Sequence, residues 1–224
     1  MPPVSPDLSV IVPIAPGETA WRNLVKQFPP DWMLIISAAE PRPPDLPESI
    51  AWLEGLAGRG RQLNAGAREQ PSGWLWFVHA DSILDNSAIK RVGDWLEKAQ
   101  EAIGYLDLGF QDDGPPLARL NAWGANLRSR LFGLPYGDQG LCLPRIWFER
   151  LGGFREDLDR GEDLDLVVRA RRAGLHVQRI QARIFTSARR YRDHGWLRTS
   201  WQHQVNAWKL IRQARNSTTH RIPK

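Results

Sequence analysis

The sequence has few of the features that mark secreted or membrane-spanning proteins. Only one of its 224 residues is cysteine, Cys142, so no disulfide can form within the chain. A reducing compartment, the cytoplasm, is therefore predicted. No apolar run is long enough to cross a bilayer, and no basic segment precedes the short apolar run near the start. We therefore expect neither a membrane span nor a signal peptide.

The composition is that of one globular domain with a basic charge balance. Hydrophobic residues make up 42% of the chain and charged residues 25%, and the formal net charge is +5. Much of the excess arginine lies in the C-terminal third, in "RARRAG", "SARRYRD" and "LIRQARNSTTHRIPK". This charge permits an acidic partner, whether a nucleotide phosphate, a nucleic acid or an anionic membrane surface, and does not choose among them.

Patterns typical of buried strands alternate with amphipathic stretches along the chain. The predicted strands span residues 8–14, 32–37, 50–53, 74–79, 102–110 and 140–144. The predicted helices span about residues 19–27, 58–70, 86–100, 117–132, 162–174 and 196–213. Strand, helix, strand order implies parallel pairing. We therefore predict a single three-layer α/β/α domain with a mostly parallel, mixed sheet.

The apolar run "WLWFVHADS" ends at His79 and Asp81, at the rim of the predicted sheet. A carboxylate there can bind a hard divalent cation that also holds a diphosphate, and Asp81 is such a candidate. The alternative is that Asp81 caps the following turn. His79 points to the same side of a regular strand, where it can bond a ribose hydroxyl, lie near the metal, or be a core histidine.

A second pair of carboxylates, Glu162 and Asp163 in "LDRGEDLDL", begins a predicted helix. A carboxylate that faces a cleft can act as general base on an acceptor hydroxyl. Acidic residues are also common at helix N-termini because the helix dipole stabilises them there, so a purely structural role stays open.

Other polar groups occur in short turns and basic stretches. The loop "YGDQG" presents Asp138 and Gln139 between two glycines, and it can also be a plain turn. The stretch "GRGRQLNAG" fits neither the P-loop pattern nor the dinucleotide-binding pattern. Its Arg59 and Arg61 can contact an anion or form a solvated face. The stretch "SARRYRDHG" is a basic cluster that can clamp a diphosphate, with a histidine as a further metal ligand; its members are Arg189, Arg190, Arg192 and His194.

Taken in order, six segments resemble glycosyltransferase family 2, and more narrowly the short bacterial group of selenodomain-associated transferases. They are "LSVIVPI", "GRGRQLNAGA", "LWFVHADS", "YGDQGLCLPRIWFERLGGFRE", "GEDLDLVVRARRAG" and "TSARRYRDHG", between about Leu8 and His194. The resemblance implies a single GT-A domain over residues 1–224. Residues 1–111 would form a nucleotide-sugar-binding half, residues 112–194 an acceptor and catalytic half, and residues 195–224 an amphipathic helix with a basic tail.

The resemblance also assigns roles to individual residues. It implies that Asp81 binds Mg²⁺ or Mn²⁺ and the donor diphosphate, with His79 in the first acidic position of that motif. Asp163 would be the catalytic base, with Glu162 beside it. The remaining matches are to the acceptor-lining loop, at Asp138 and Gln139, and to a donor-facing segment, at Arg61 and Asn64.

These roles predict an inverting, metal-dependent glycosyltransferase that moves a sugar from a UDP- or GDP-sugar to a hydroxyl acceptor. The alternative is a catalytically silent GT-A module that binds a nucleotide, a membrane surface or a protein. Two departures from the family favour this alternative. Ser37 stands where an acidic residue is expected after the second strand, with Glu40 the nearest carboxylate, and Glu18 alone follows the first strand.

The predicted C-terminal helix carries Leu197, Trp201, Val205 and Trp208 on one stripe. That stripe can lie on the inner face of the membrane as a peripheral contact, pack on the domain, or join a second subunit in a homodimer. Nucleic-acid binding has only the basic C-terminal third in its support, and we do not predict it.

Overall fold

The computed structural model describes residues 7–189 except residues 70, 72, 99, 100, 116 and 159. The predicted C-terminal helix, with Arg190 and His194, lies outside these described residues. No helix among them is long and apolar enough to span a membrane.

Eight strands, six helices and one 3₁₀ turn, Gly137–Gln139, make up the described domain. The strands are β1 Leu8–Ile14, β2 Met33–Ala38, β3 Ile50–Glu54, β4 Trp74–Phe77, β5 Ile83–Leu84, β6 Ala102–Phe110, β7 Cys142–Pro144 and β8 His176–Thr186. The helices are α1 Trp21–Val25, α2 Arg59–Glu69, α3 Ala88–Leu96, α4 Ala118–Phe132, α5 Arg145–Arg150 and α6 Glu162–Arg172.

All eight strands form one sheet in the order β3-β2-β1-β4-β7-β6-β8-β5. The pairs β3-β2, β2-β1, β1-β4 and β6-β8 are parallel, whereas β7 is antiparallel to both of its neighbours and β5 is antiparallel to β8. The prediction of an α/β domain with a mostly parallel, mixed sheet is confirmed.

Side chains alternate between the two faces of the sheet, and this alternation builds two cores. Val10 and Val12 of β1 face one core, which is covered by α1 and α3, while Ile11 faces the other, which is covered by α2, α5 and α6. Helices therefore cover both faces, as the three-layer prediction requires. The fully buried Trp76 in β4 packs edge-on against Phe28 and Trp32 in the first core.

The longest strand, β8, is not among the sequence predictions. Its inward residues Ile180, Ala182 and Ile184 are buried, but exposed polar residues such as Arg179 and Arg183 alternate with them. The resulting pattern is that of a strand with one solvated face, which lacks the mostly apolar run that marks β1 and β6.

Helix α2 lies so close to β1 that only a glycine fits at position 66. A Cβ on Gly66 would lie 2.5 Å from Cγ2 of the fully buried Ile11. This close approach sets the distance between α2 and the middle of β1.

We therefore expect Gly66→Ala to lower the free energy of unfolding by about 1 to 2 kcal/mol, because overpacking a core costs more than the gain in helix propensity returns. Urea denaturation measures this change. The matched control is Gly93→Ala in α3, where a Cβ meets no atom within 4 Å, and which should gain up to about 1 kcal/mol. A Gly66→Ala protein as stable as the control variant would contradict this account of the packing.

Candidate functional site

Parallel strands β1, β2 and β4 end at the same edge of the sheet, and the candidate residues gather there. The backbone N–H of Val78 donates to the carbonyl of Ile11 at 3.0 Å, so pairing with β1 continues just beyond β4. His79 and Asp81 follow at this rim. Oδ2 of Asp81 accepts hydrogen bonds from Oγ1 of Thr186 (3.2 Å) and from the N–H of Ser187 (3.3 Å), at the end of β8.

Arg59, the first residue of α2, joins the groups at this edge. Its Nη2 lies 2.5 Å from Nε2 of His79, its Nε lies 3.0 Å from Oε1 of Glu162, and its Nη2 lies 3.4 Å from Oδ2 of Asp163. A guanidinium can only donate, so Nε2 of His79 is the acceptor in this contact.

Glu162 and Asp163 occupy the first turn of α6, which begins after Gly161 in the left-handed conformation at φ 84°. Both side chains are buried. Oδ2 of Asp163 accepts from the backbone N–H of Gly137 at 2.6 Å, and Oδ1 accepts from the N–H of Leu164 at 2.7 Å. Burial raises the pKa of Glu162, which Arg59 opposes and the charge of Asp163 reinforces.

The turn before β7 lies directly against this acidic pair. A Cβ on Gly137 would overlap the guanidinium of Arg59 and lie 2.7 Å from Oδ2 of Asp163, so only glycine fits there. The next residue, Asp138, has a buried Oδ1 for which the described residues provide no hydrogen-bond partner. Burial and the neighbouring Asp163 raise the pKa of Asp138 to about 6, although Arg128 and Arg59 act in the opposite direction.

Gln139, predicted to line the acceptor side, is fully buried and points into the protein. Its Oε1 accepts from Oγ of Ser129 (2.7 Å) and from the N–H of Tyr136 (3.2 Å), and its Nε2 donates to the carbonyl of Leu106 (3.2 Å). These bonds connect α4, the turn and β6. Gln139 therefore fixes the turn that presents Asp138.

Arg61 and Asn64, the predicted donor-facing pair, contact the loop after α5. The buried side chain of Asn64 donates to the carbonyl of Phe154 at 2.9 Å and accepts from its N–H at 2.9 Å. Nε of Arg61 lies 3.5 Å from Oε2 of the exposed Glu156. The structure does not bring these two side chains into the Arg59 network, and their donor-binding role stays a prediction.

Arg189 is the one member of the predicted basic cluster that lies within the described residues. Its Nε donates to Oγ of Ser187 at 2.9 Å and lies 3.8 Å from Oδ2 of Asp113. The predicted roles of Arg190 in diphosphate binding and of His194 as metal ligand fall on residues outside the description.

The side chains at the rim fit a hard cation that takes most of its ligands from phosphate and water. Among the described residues no three His, Cys, Asp or Glu side chains lie close enough to form a protein-only metal site. Mg²⁺ needs only one or two carboxylates when a substrate phosphate completes its shell. Asp81 offers one, and it is near enough to Asp138 for its charge to raise that residue's pKa.

Two polar side chains of α2, Arg59 and Gln62, make more contacts at this edge of the sheet than the sequence patterns indicated. Arg59 was an open candidate for anion binding and is the residue that contacts three of the predicted site residues. Gln62 ties together the ends of β1 and β2, because its Nε2 donates to the carbonyls of Ile14 (2.7 Å) and Ser37 (3.0 Å). The signal for both was their position in a glycine-flanked helix start between two predicted strands.

Sequence comparison alone does not place the chain. No family model matches it, and a search of curated proteins finds no match. Solved structures do resemble it. TarS residues 1–349 of S. aureus, in complex with UDP-GlcNAc, align with a TM-score of 0.61 and 15% identity over 80% of this chain and 58% of that one.

A mannosyltransferase from Pyrobaculum calidifontis, in complex with GDP-Man and Mn²⁺, aligns with a TM-score of 0.59 and 14% identity over 81% of this chain and 57% of that one. The chain spans about three fifths of the length of these two solved chains. At this identity the likeness shows the fold, which is the GT-A fold of glycosyltransferases.

The buried carboxylate of Asp138 should cost stability at neutral pH. Because its pKa is raised, the carboxyl group of Asp138 binds its proton more tightly in the folded protein than in the unfolded chain. The group's favourable contribution is therefore complete below a pH of about 4 and is lost as the pH rises through about 6. We expect Asp138→Asn to be more stable than the native protein at pH 8 by up to about 3 kcal/mol, with the difference vanishing near pH 4.

Urea denaturation at the two pH values measures this difference. The control is Asp112→Asn, whose carboxylate is 89% exposed and which should change stability by less than about 0.5 kcal/mol at either pH. A variant of Asp138 that is destabilised at pH 8 would show that the carboxylate is better satisfied than the structure indicates.

Proposed function

We propose that the chain is a nucleotide-sugar glycosyltransferase that acts with inversion and with a divalent cation. The observation that carries the proposal is the meeting of two groups of side chains at one edge of a GT-A sheet. Arg59, His79 and Asp81 come from the first half of the chain, and Asp138 and Asp163 come from the second. Residues 1–111 then form the donor half and residues 112–194 the acceptor half.

On the donor side, the proposal assigns Asp81 to the cation, Mg²⁺ or Mn²⁺, and through it to the diphosphate. When bound, such a cation supplies positive charge that stabilises a diphosphate leaving group. Arg59 is a donor at the same edge, suited to phosphate oxygens, and His79 lies beside it in the first position of the predicted motif. Arg61, Asn64, Arg189, Arg190 and His194 keep their predicted roles as parts of the proposal.

On the acceptor side, Asp163 takes the proton of the attacking hydroxyl. The new bond forms between that oxygen and the anomeric carbon while the bond from the anomeric carbon to the diphosphate oxygen breaks, which inverts the configuration. Backbone N–H groups of Gly137 and Leu164 hold the carboxylate in one orientation. An oriented base removes much of the entropic cost of proton transfer.

Asp138 and Glu162 adjust the charge around this base. With a pKa of about 6, Asp138 is ionised at neutral pH and protonated in mild acid. Its Oδ1 has no hydrogen-bond partner among the described residues and is suited to accept a hydrogen bond from a second hydroxyl of the acceptor. Glu162 has Arg59 as its counter-ion, so it holds the guanidinium beside Asp163.

We propose a UDP- or GDP-sugar as the donor, because one structural neighbour is in complex with UDP-GlcNAc and another with GDP-Man. A second candidate function, a silent binding module, has one observation in its favour. The polar groups where a base would be recognised already have partners within the chain. Oε2 of Glu40 accepts from the N–H of Gly17 at 3.0 Å, and Gln62 occupies the carbonyl of Ser37.

We expect Asp81→Asn to weaken Mn²⁺-dependent binding of the donor by at least about tenfold, because the amide keeps the shape of the side chain and loses its charge. Isothermal titration with UDP-GlcNAc and GDP-mannose, with and without Mn²⁺, measures this affinity. Asp94→Asn in α3, remote from the edge, is the matched control. Equal Mn²⁺-dependent affinity in the two variants would remove Asp81 from the donor site.

We expect Asp163→Asn to bind the donor as the native protein does and to lose at least about 100-fold in turnover, the usual contribution of a general base. Release of the nucleoside diphosphate by donor hydrolysis, with water as acceptor, measures turnover without knowledge of the natural acceptor. Turnover at the native rate would exclude Asp163 as the base. Donor binding with no turnover in the native protein would favour the silent module.

A further inference from the structure

Helix α4 turns its large apolar side chains away from the protein. Its buried residues are all small and lie on one side of the helix: Ala118, Ala122, Ala125 and Ser129. The large residues on the opposite side are exposed: Leu120 (57%), Trp123 (66%), Leu127 (39%) and Leu131 (66%). With 3.6 residues per turn, these four lie within about 80° of one another around the helix axis, and they extend for about 16 Å.

This arrangement is the reverse of what packing on the domain would favour. A surface helix normally buries its large apolar residues and exposes polar ones. Here Ala122 and Ala125 meet Leu108 of β6, while the exposed stripe contains a tryptophan and three leucines. A contiguous exposed apolar patch of this kind marks an interaction surface.

The helix itself carries charge of one sign. Residues 117–137 contain three arginines, Arg119, Arg128 and Arg130, and no Asp or Glu. Arg119 and Arg130 lie on the same flank of the stripe, within about 20° of each other around the axis. Arg119 pairs with Asp112 at 2.9 Å, and Arg130 shares Asp107 with Arg179. Arginines still outnumber carboxylates on this flank. At the end of the helix Arg171 adds a further guanidinium, whose Nε lies 3.3 Å from the position a Cβ on Gly133 would take.

We propose that the face of α4 formed by Leu120, Trp123, Leu127 and Leu131 binds the surface of an anionic lipid bilayer. An amphipathic helix with tryptophan and leucine on one face and arginine beside it lies in the plane of the bilayer interface. Negatively charged headgroups attract arginines that lie near the surface. The basic flank favours this occupant over a second copy of the face, which would bring arginines together.

The surface lies outside the Arg59 network, so the proposal holds whether or not the chain transfers a sugar. It also differs from membrane contact through residues 196–213, because the stripe belongs to the described domain. The C-terminal segment is nevertheless a rival occupant. The described chain ends next to the start of α4, where a Cβ on Gly114 would lie 2.5 Å from Cβ of Ala188.

The test is co-flotation of the full chain with phosphatidylcholine vesicles that contain or lack phosphatidylglycerol. We expect binding to the anionic vesicles alone, weakened by added salt. The double variant Trp123→Ser, Leu127→Ser should bind at least about tenfold more weakly, because it removes two apolar side chains from the interface. Arg119→Gln should bind about fivefold more weakly.

Ile146→Ser is the matched control, since Ile146 is 50% exposed in a different helix. This variant should bind the vesicles as the native chain does.

Several results would overturn the proposal. One is no binding of the native chain to anionic vesicles, and another is unchanged binding by the double variant. Loss of binding in Trp201→Ser, Trp208→Ser with retention in the α4 variant would assign the contact to the C-terminal segment. A melting temperature lowered by the α4 substitutions, or a dimer dissociated by them, would show that the chain itself covers the face. An unchanged melting temperature and a monomeric sedimentation profile agree with an open face.

Discussion

The candidate site depends on how one guanidinium balances a set of buried carboxylates. Arg59 contacts Glu162 and Asp163 and lies near enough to Asp138 for their charges to interact. Burial and the charge of Asp163 nevertheless raise the pKa of Asp138 to about 6, against the opposing charges of Arg128 and Arg59. Removing one partner from such a network costs far more than the net contribution of the pair, because an unpaired charge stays buried. Charged groups with perturbed pKa values cluster at functional sites, and this network supports the proposed role of the edge in that way.

Backbone spacing and buried amides make this network possible. The turn at Gly137 approaches Arg59 and Asp163 so closely that no side chain fits, and Gly66 allows α2 to reach β1. Gln62, Asn64 and Gln139 then use their amides to tie loops to strand ends. Such bonds hold the carboxylates and the arginine in fixed relative positions before any ligand arrives, which is what electrostatic stabilisation of a transition state requires.

The sequence predicts the scaffold better than the geometry of the site. Strands β1 and β6 agree with their predicted bounds because each is a mostly apolar run, and β8 was missed because arginines alternate with its buried residues. His79 and Asp163 were candidates from their motifs, but their common contact with Arg59 depends on the sheet order, which local patterns do not determine. Gln139 and Asn64 have side chains suited to ligands and turn inward instead, because burial depends on contacts distant in the chain.

The orientation of helix α4 could not be predicted from periodicity either. An apolar stripe predicts that the large side chains are buried, and in α4 they are exposed. The proposed reaction requires a donor diphosphate between the rim of β4 and the acidic pair of α6. The most direct test is a crystal structure of the chain with Mn²⁺ and either UDP-GlcNAc or GDP-mannose. We expect the diphosphate beside Asp81 and the anomeric carbon on the side that faces Asp163. A nucleotide bound away from this edge of the sheet, or a sugar whose anomeric carbon faces away from Asp163, would contradict the account.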